Sequence, residues 1–126
     1  MGPVEQLVRA RFPTGRADLE TLSQGAPFIL TWDAKGIRVF LGKKRTPSRL
    51  SWYCLEGVPG HLRGQGWMPA GGMNDVRGEP GTLDEHLKKC VKTNTSRWVV
   101  RVLRDAGVVE ARIGPVEVRL ATRFER

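Results

Sequence analysis

Residues 82–107 read Thr82-Leu-Asp-Glu-His-Leu-Lys-Lys-Cys-Val-Lys-Thr-Asn-Thr-Ser-Arg-Trp-Val-Val-Arg-Val-Leu-Arg-Asp-Ala-Gly107. Two short apolar-rich runs follow, 108–113 and 116–121, either side of Gly114-Pro115. Thr82 stands three residues before Glu85, the spacing of a capping box. There the hydroxyl accepts the Glu85 amide and the carboxylate returns to the Thr82 amide, worth about 1 kcal/mol. Leu83, Leu87, Cys90 and Val91 then share one helical face. After the polar link Lys92-Thr-Asn, a second helix over 95–106 turns Val99, Val102, Leu103 and Ala106 inward and stops at Gly107. Arg97, Arg101 and Arg104, at i, i+4 and i+7, fall on its outer face. The order is helix, tight turn, basic helix, hairpin.

The segment Arg97-Trp-Val-Val-Arg-Val-Leu-Arg-Asp-Ala-Gly-Val-Val-Glu110 resembles the recognition helix and first wing strand of winged helix-turn-helix DNA-binding proteins. The resemblance covers residues 82–121. It implies that helix 95–106 lies in the major groove of duplex DNA, with Thr95, Ser96, Arg97 and Arg101 at its leading end and Arg104 behind them. Arg112 and Arg119 on the wing would then meet phosphates. Arginine suits both tasks, because its planar fork bonds guanine O6 and N7 together or clamps a phosphate. The chain departs from the family at one point: the usual first helix just upstream is replaced by the Gly-rich stretch 57–81. The early helix would have to fold back to supply the third side.

Upstream, Val4, Leu7, Val8 and Phe12 have helical spacing and Pro13 ends the run. Leu19 and Leu22 predict a second helix over 18–24, stopped by Gly25. The period then becomes two. Phe28, Leu30 and Trp32, the turn residues Asp33-Ala-Lys-Gly36, and Ile37, Val39 and Leu41 predict a β-hairpin. A third strand is expected over 50–55, Leu-Ser-Trp-Tyr-Cys-Leu, which closes a three-stranded antiparallel meander. Residues 57–81 hold eight Gly and three Pro, so regular structure is expected to fade there. The expected fold class is therefore α+β: N-terminal helices, the meander, and a winged helix-turn-helix-like C-terminal unit. One domain over 1–126 is expected, made of 1–56, the loop 57–81 and 82–126.

The 126 residues carry 21 Lys and Arg against 13 Asp and Glu, a formal charge of +8, which favours a polyanionic partner. Four of those cations, Lys43, Lys44, Arg45 and Arg49, flank Thr46-Pro-Ser48 in one loop. Like charges that dense repel one another unless phosphates sit among them. The two cysteines, Cys54 and Cys90, and two histidines, His61 and His86, match no zinc-module spacing, so buried free thiols are expected. No apolar run approaches a membrane span or a leader's hydrophobic region. The expectation is a cytoplasmic chain, nucleoid-associated if bacterial, with no membrane partner and no cofactor, metal or catalytic residue. A homodimer is compatible with this reading.

Non-catalytic recognition of duplex DNA, as a regulator or a sensor of foreign or modified DNA, is the function expected from these residues. Three other readings stand beside it. RNA or single strands could stack on a sheet face bearing Arg38, Phe40 and Tyr53, next to the basic loop. Asp33-Ala-Lys35, with Asp18 and Glu20 upstream, is the nearest approach to a Mg²⁺-dependent nuclease string, although Asp and Lys are also turn formers. A protein–protein adaptor or inhibitor from a mobile element would use Trp67, set among glycines.

Overall fold

The chain opens on a helix whose own sequence does not cap it. Pro3 supplies the fixed φ of a first helical turn, and α1 runs Pro3–Arg11. Its N-cap, Gly2, offers no side chain. Both oxygens of Glu56 do the work instead, accepting the Val4 and Glu5 amides at 3.0 and 2.9 Å. Glu5 in turn pairs with Arg9 one turn on, and the Arg9 guanidinium lies over the Trp32 ring at 4.6 Å.

The computed structural model describes residues 1–42, 47–71 and 80–125. It is a mixed α+β fold. Four antiparallel strands follow α1 in the order β1 (Arg16–Glu20), β2 (Pro27–Trp32), β3 (Gly36–Leu41) and β4 (Ser48–Ser51). The predicted helix over 18–24 is thus corrected to strand β1 and a loop, and the meander has four strands rather than three. The residues explain the change. Ala17 and Leu19 are partly buried while Arg16, Asp18 and Glu20 face solvent, which is period two. Leu22 lies beyond the strand, where the Thr21 hydroxyl accepts the Ala26 amide and Gly25 takes φ +65° to close the turn.

The expected strand over 50–55 is corrected as well. β4 ends at Ser51, whose hydroxyl accepts the Cys54 amide at 3.1 Å and starts α2 (Trp52–Glu56). Trp52 and Leu55 become the buried pair of that helix, and the Trp52 indole donates to the Asp33 carbonyl at 2.8 Å. The Gly-rich stretch is not featureless either: it holds α3 (Val58–Leu62) and a two-residue strand, β5 (Met68–Pro69).

The C-terminal elements are α4 (Leu83–Leu87), α5 (Ser96–Asp105), β6 (Val109–Arg112) and β7 (Glu117–Leu120), with a 3₁₀ turn at Thr122–Phe124. Thr82 accepts the Glu85 amide at 3.2 Å, as the capping box predicts, and Glu85 also reaches back to the Gly81 amide. A second antiparallel sheet forms in the order β5-β7-β6, with Met68 opposite Val118 and Val109 opposite Leu120. α1, α4, β1 and β6 all pack on α5. Trp98, Val99, Val100, Val102 and Leu103 are buried among them.

Removing the borrowed cap should loosen α1. Glu56→Ala is expected to lower unfolding free energy by about 1–2 kcal/mol in urea titrations, because two charge-assisted bonds to helix amides disappear. Glu56→Gln should recover part of that loss, since one amide oxygen remains as an acceptor.

Candidate nucleic-acid interface

The leading end of α5 does not face outward. Thr95 and Ser96 are buried, and the Ser96 hydroxyl donates to the Gly71 carbonyl at 2.9 Å. The expected base contacts from these two residues are corrected accordingly: both are buried, and Ser96 is bonded to the residue that follows Ala70. Arg97 is exposed, with Nη1 3.3 Å from Gln24 Oε1. It borders a cleft of about 350 Å³ walled by Thr21, Leu22, Pro69 and Val116.

The other two outer arginines are paired within the chain, Arg101 partly buried and Arg104 exposed. Arg101 Nε donates to Asp105 Oδ2 at 2.9 Å, and its Nη1 donates to the Glu20 carbonyl at the end of β1, also at 2.9 Å. Arg104 Nη2 reaches the other oxygen of the same carboxylate at 3.0 Å. The Asp105 side chain is only 6% exposed, so these bonds are better sheltered from water than an ordinary surface pair. The unencumbered row of guanidinium groups expected on this helix is therefore corrected. Arg101 is the tie between α5 and the edge of the first sheet, and Arg104 shares its anion.

The hairpin behaves differently. Arg112 faces Glu117 across the ladder, and Glu110 faces Arg119. Each arginine bonds a carboxylate of the other strand, Arg112 to Glu117 at 2.8 Å and Arg119 to Glu110 at 3.0 Å. Both guanidinium groups also lie against Trp67, 4.3 and 4.6 Å from its ring. The Trp67 indole is held here because β5, which follows it directly, pairs with β7. This aromatic–arginine cluster was not legible as a unit, since a two-residue strand carries no periodic signal.

The remaining candidates are scattered. Lys43, Lys44 and Arg45 lie outside the described residues. Arg49 is exposed on β4 and directly opposite Arg38 on β3. Arg38 has its own anion, Asp33, at 3.1 Å. Phe40 is partly buried on β3, whereas Tyr53 is 91% exposed but stands on α2, so the three residues do not assemble into one sheet platform.

Asp33 is committed to its turn. Oδ1 accepts the Lys35 amide at 2.8 Å and the Gly36 amide at 3.3 Å. Gly36 is needed there, because an added Cβ would collide with the Leu50 carbonyl. The Lys35 amide, with further help from the Arg38 charge and the Gly36 amide, holds the Asp33 carboxyl below its ordinary value, against some desolvation.

The cysteines are not free thiols, which corrects that expectation: Cys54 and Cys90 are joined as a disulfide, with Cys54 buried and Cys90 exposed. His86 lies beside them, its Nε2 2.8 Å from the Cys54 carbonyl and 4.0 Å from Cys54 Sγ. Burial, chiefly, pushes the His86 pKa down, against the effect of the Cys54 carbonyl bond. His61 is on α3 with Nε2 2.8 Å from the Thr82 carbonyl.

No family model, curated protein or solved structure matches the chain. Among the described residues, no helix is long and apolar enough to cross a membrane.

The Asp33 turn makes a pH prediction. A carboxyl whose folded pKa lies below its unfolded value of about 3.8 adds stability above that value and loses it as pH falls through the folded pKa. Asp33→Asn keeps an oxygen acceptor but cannot ionise. Thermal melts of the variant should show a shallower loss of stability below about pH 4 than the parent.

Proposed function

We propose that the protein binds nucleic acid without catalysis, most readily duplex DNA, and that its wing rather than its buried helix makes the principal contact. One observation carries this reading. The helical pair α2–α3, the short strand β5, helices α4 and α5, and the hairpin β6–β7 follow one another, and β7 pairs between β5 and β6. That order is compatible with a winged helix-turn-helix unit in which α2–α3 would supply the first helix.

The wing is the part of that unit with cations at the surface. Arg112 and Arg119 are paired to Glu117 and Glu110 across exposed strands, and such pairs are worth about 0–1 kcal/mol. Exchanging a carboxylate for a phosphate therefore costs little. Trp67, partly buried beneath them, holds both guanidinium groups together at the surface. Arg97, exposed beside the buried Thr95 and Ser96, adds one cation from the first turn of α5, and the chain's charge of +8 favours the encounter. Arg101 belongs to the packing of α5 and has no part in it.

Fluorescence anisotropy with labelled duplex at several salt concentrations tests this. The affinity should fall steeply with salt. Arg112→Ala with Arg119→Ala should flatten the log–log salt slope by about two, one for each phosphate left without its arginine. Arg101→Ala should leave the slope unchanged and lower the melting temperature instead. Absence of duplex binding by the parent protein at low salt would overturn the reading.

A further inference from the structure

The chain holds two cysteines and two histidines, and all four meet in one place. Cys54 comes from α2, His61 from α3, His86 from α4, and Cys90 from the turn just after it. Cys54 Sγ, Cys90 Sγ and a His86 ring nitrogen lie within 4.8 Å of one another. The rings of His61 and His86 are 5.6 Å apart. His86 and Cys90 are four residues apart, the reach of one helical turn, which brings two ligands to one side of a chain. We propose that in its dithiol form the protein binds one Zn²⁺ ion on Cys54 Sγ, Cys90 Sγ and His86 Nε2, with water in the fourth position.

Three features fit an ion rather than a cross-link alone. Gly57 makes room for the imidazole: a Cβ there would stand 2.6 Å from His86 Cε1 and 3.0 Å from Nε2. The donor set, two thiolates and one imidazole, is the soft and borderline mixture that Zn²⁺ prefers over Mg²⁺ or Ca²⁺. A surface cleft of about 420 Å³, lined by Tyr53, Gly57, His86, Lys89 and Cys90, gives an ion or a reductant access to the sulfurs.

The exchange between the two forms balances. A dithiol reductant gives two electrons and two protons to the Cys54–Cys90 disulfide and is itself oxidised to a disulfide. Zn²⁺ then displaces the two thiol protons. The sulfurs must separate to about 3.8 Å, the span of two tetrahedral ligands with bonds of about 2.3 Å. His86 must change as well. In the disulfide form its Nε2 faces the Cys54 carbonyl, which can only accept, so the proton sits on Nε2. Ligation needs that lone pair, and the proton moves to Nδ1.

The test uses tag-free protein, reduced with a phosphine, stripped with a chelator, and titrated with Co²⁺ and then Zn²⁺. One equivalent of Co²⁺ should raise thiolate-to-metal charge-transfer absorption, and Zn²⁺ should abolish it and raise the melting temperature of the reduced protein. The disulfide form should give neither signal. Cys90→Ser, at an exposed position, and His86→Gln should each weaken Co²⁺ binding tenfold or more, with far-UV circular dichroism confirming that both are folded. A reduced, folded parent that shows no charge-transfer band would overturn the proposal, as would variants that bind Co²⁺ as tightly as the parent. Neither result bears on the DNA titration, which reads a different surface.

Discussion

Burial of α5 on every side but a narrow rim is the constraint that organises this molecule. A helix carrying Trp98, Val99, Val100, Val102 and Leu103 on adjoining faces cannot be covered by one neighbour. Each such side chain gains about 1.5–3 kcal/mol from leaving water, so the chain gains most when several elements close around it. α4 and β6 cover part, and the N-terminal half, through α1 and β1, covers the rest. The bond from Arg101 to the Glu20 carbonyl is the polar counterpart of that closure. It satisfies a strand-end acceptor and locks a cation that helical spacing alone assigns to solvent.

What was legible followed from local chemistry. The Asp33 turn, the Thr82 cap, the helix after Thr95 and the terminal hairpin all carry their signals within a few residues, and all are present. What was misread depends on partners far away. Leu19 and Leu22 satisfy a helical spacing, yet Leu19 belongs to a strand because β2 lies beside it. Residues 50–55 alternate like a strand, yet Ser51 is free to cap a helix because β3 supplies ladder partners only as far as that residue. The site divides in the same way. Arg97, Arg112 and Arg119 lie at the surface as expected, whereas Thr95 and Ser96 disappear beneath residues that the chain's one-dimensional pattern does not place near them.

The two proposed activities occupy separate ground. The arginine–tryptophan cluster is held by the second sheet, with Trp67 leading into β5 and the arginines on β6 and β7. The cysteine–histidine cluster sits where α2, α3 and α4 converge, next to the joint at Gly57. The two clusters therefore share no residue, and a change in how Cys54 and Cys90 are joined leaves the arginines of β6 and β7 with their own partners.

Glu56 makes the first helix depend on a residue far along the chain. Nine residues are too few to hold a helix in water unaided, and the acceptor for the first turn of α1 arrives more than fifty residues later. The first turn of α1 therefore has its acceptor only when α2 is in place, so a local element of the chain depends on a contact made across the whole first sheet.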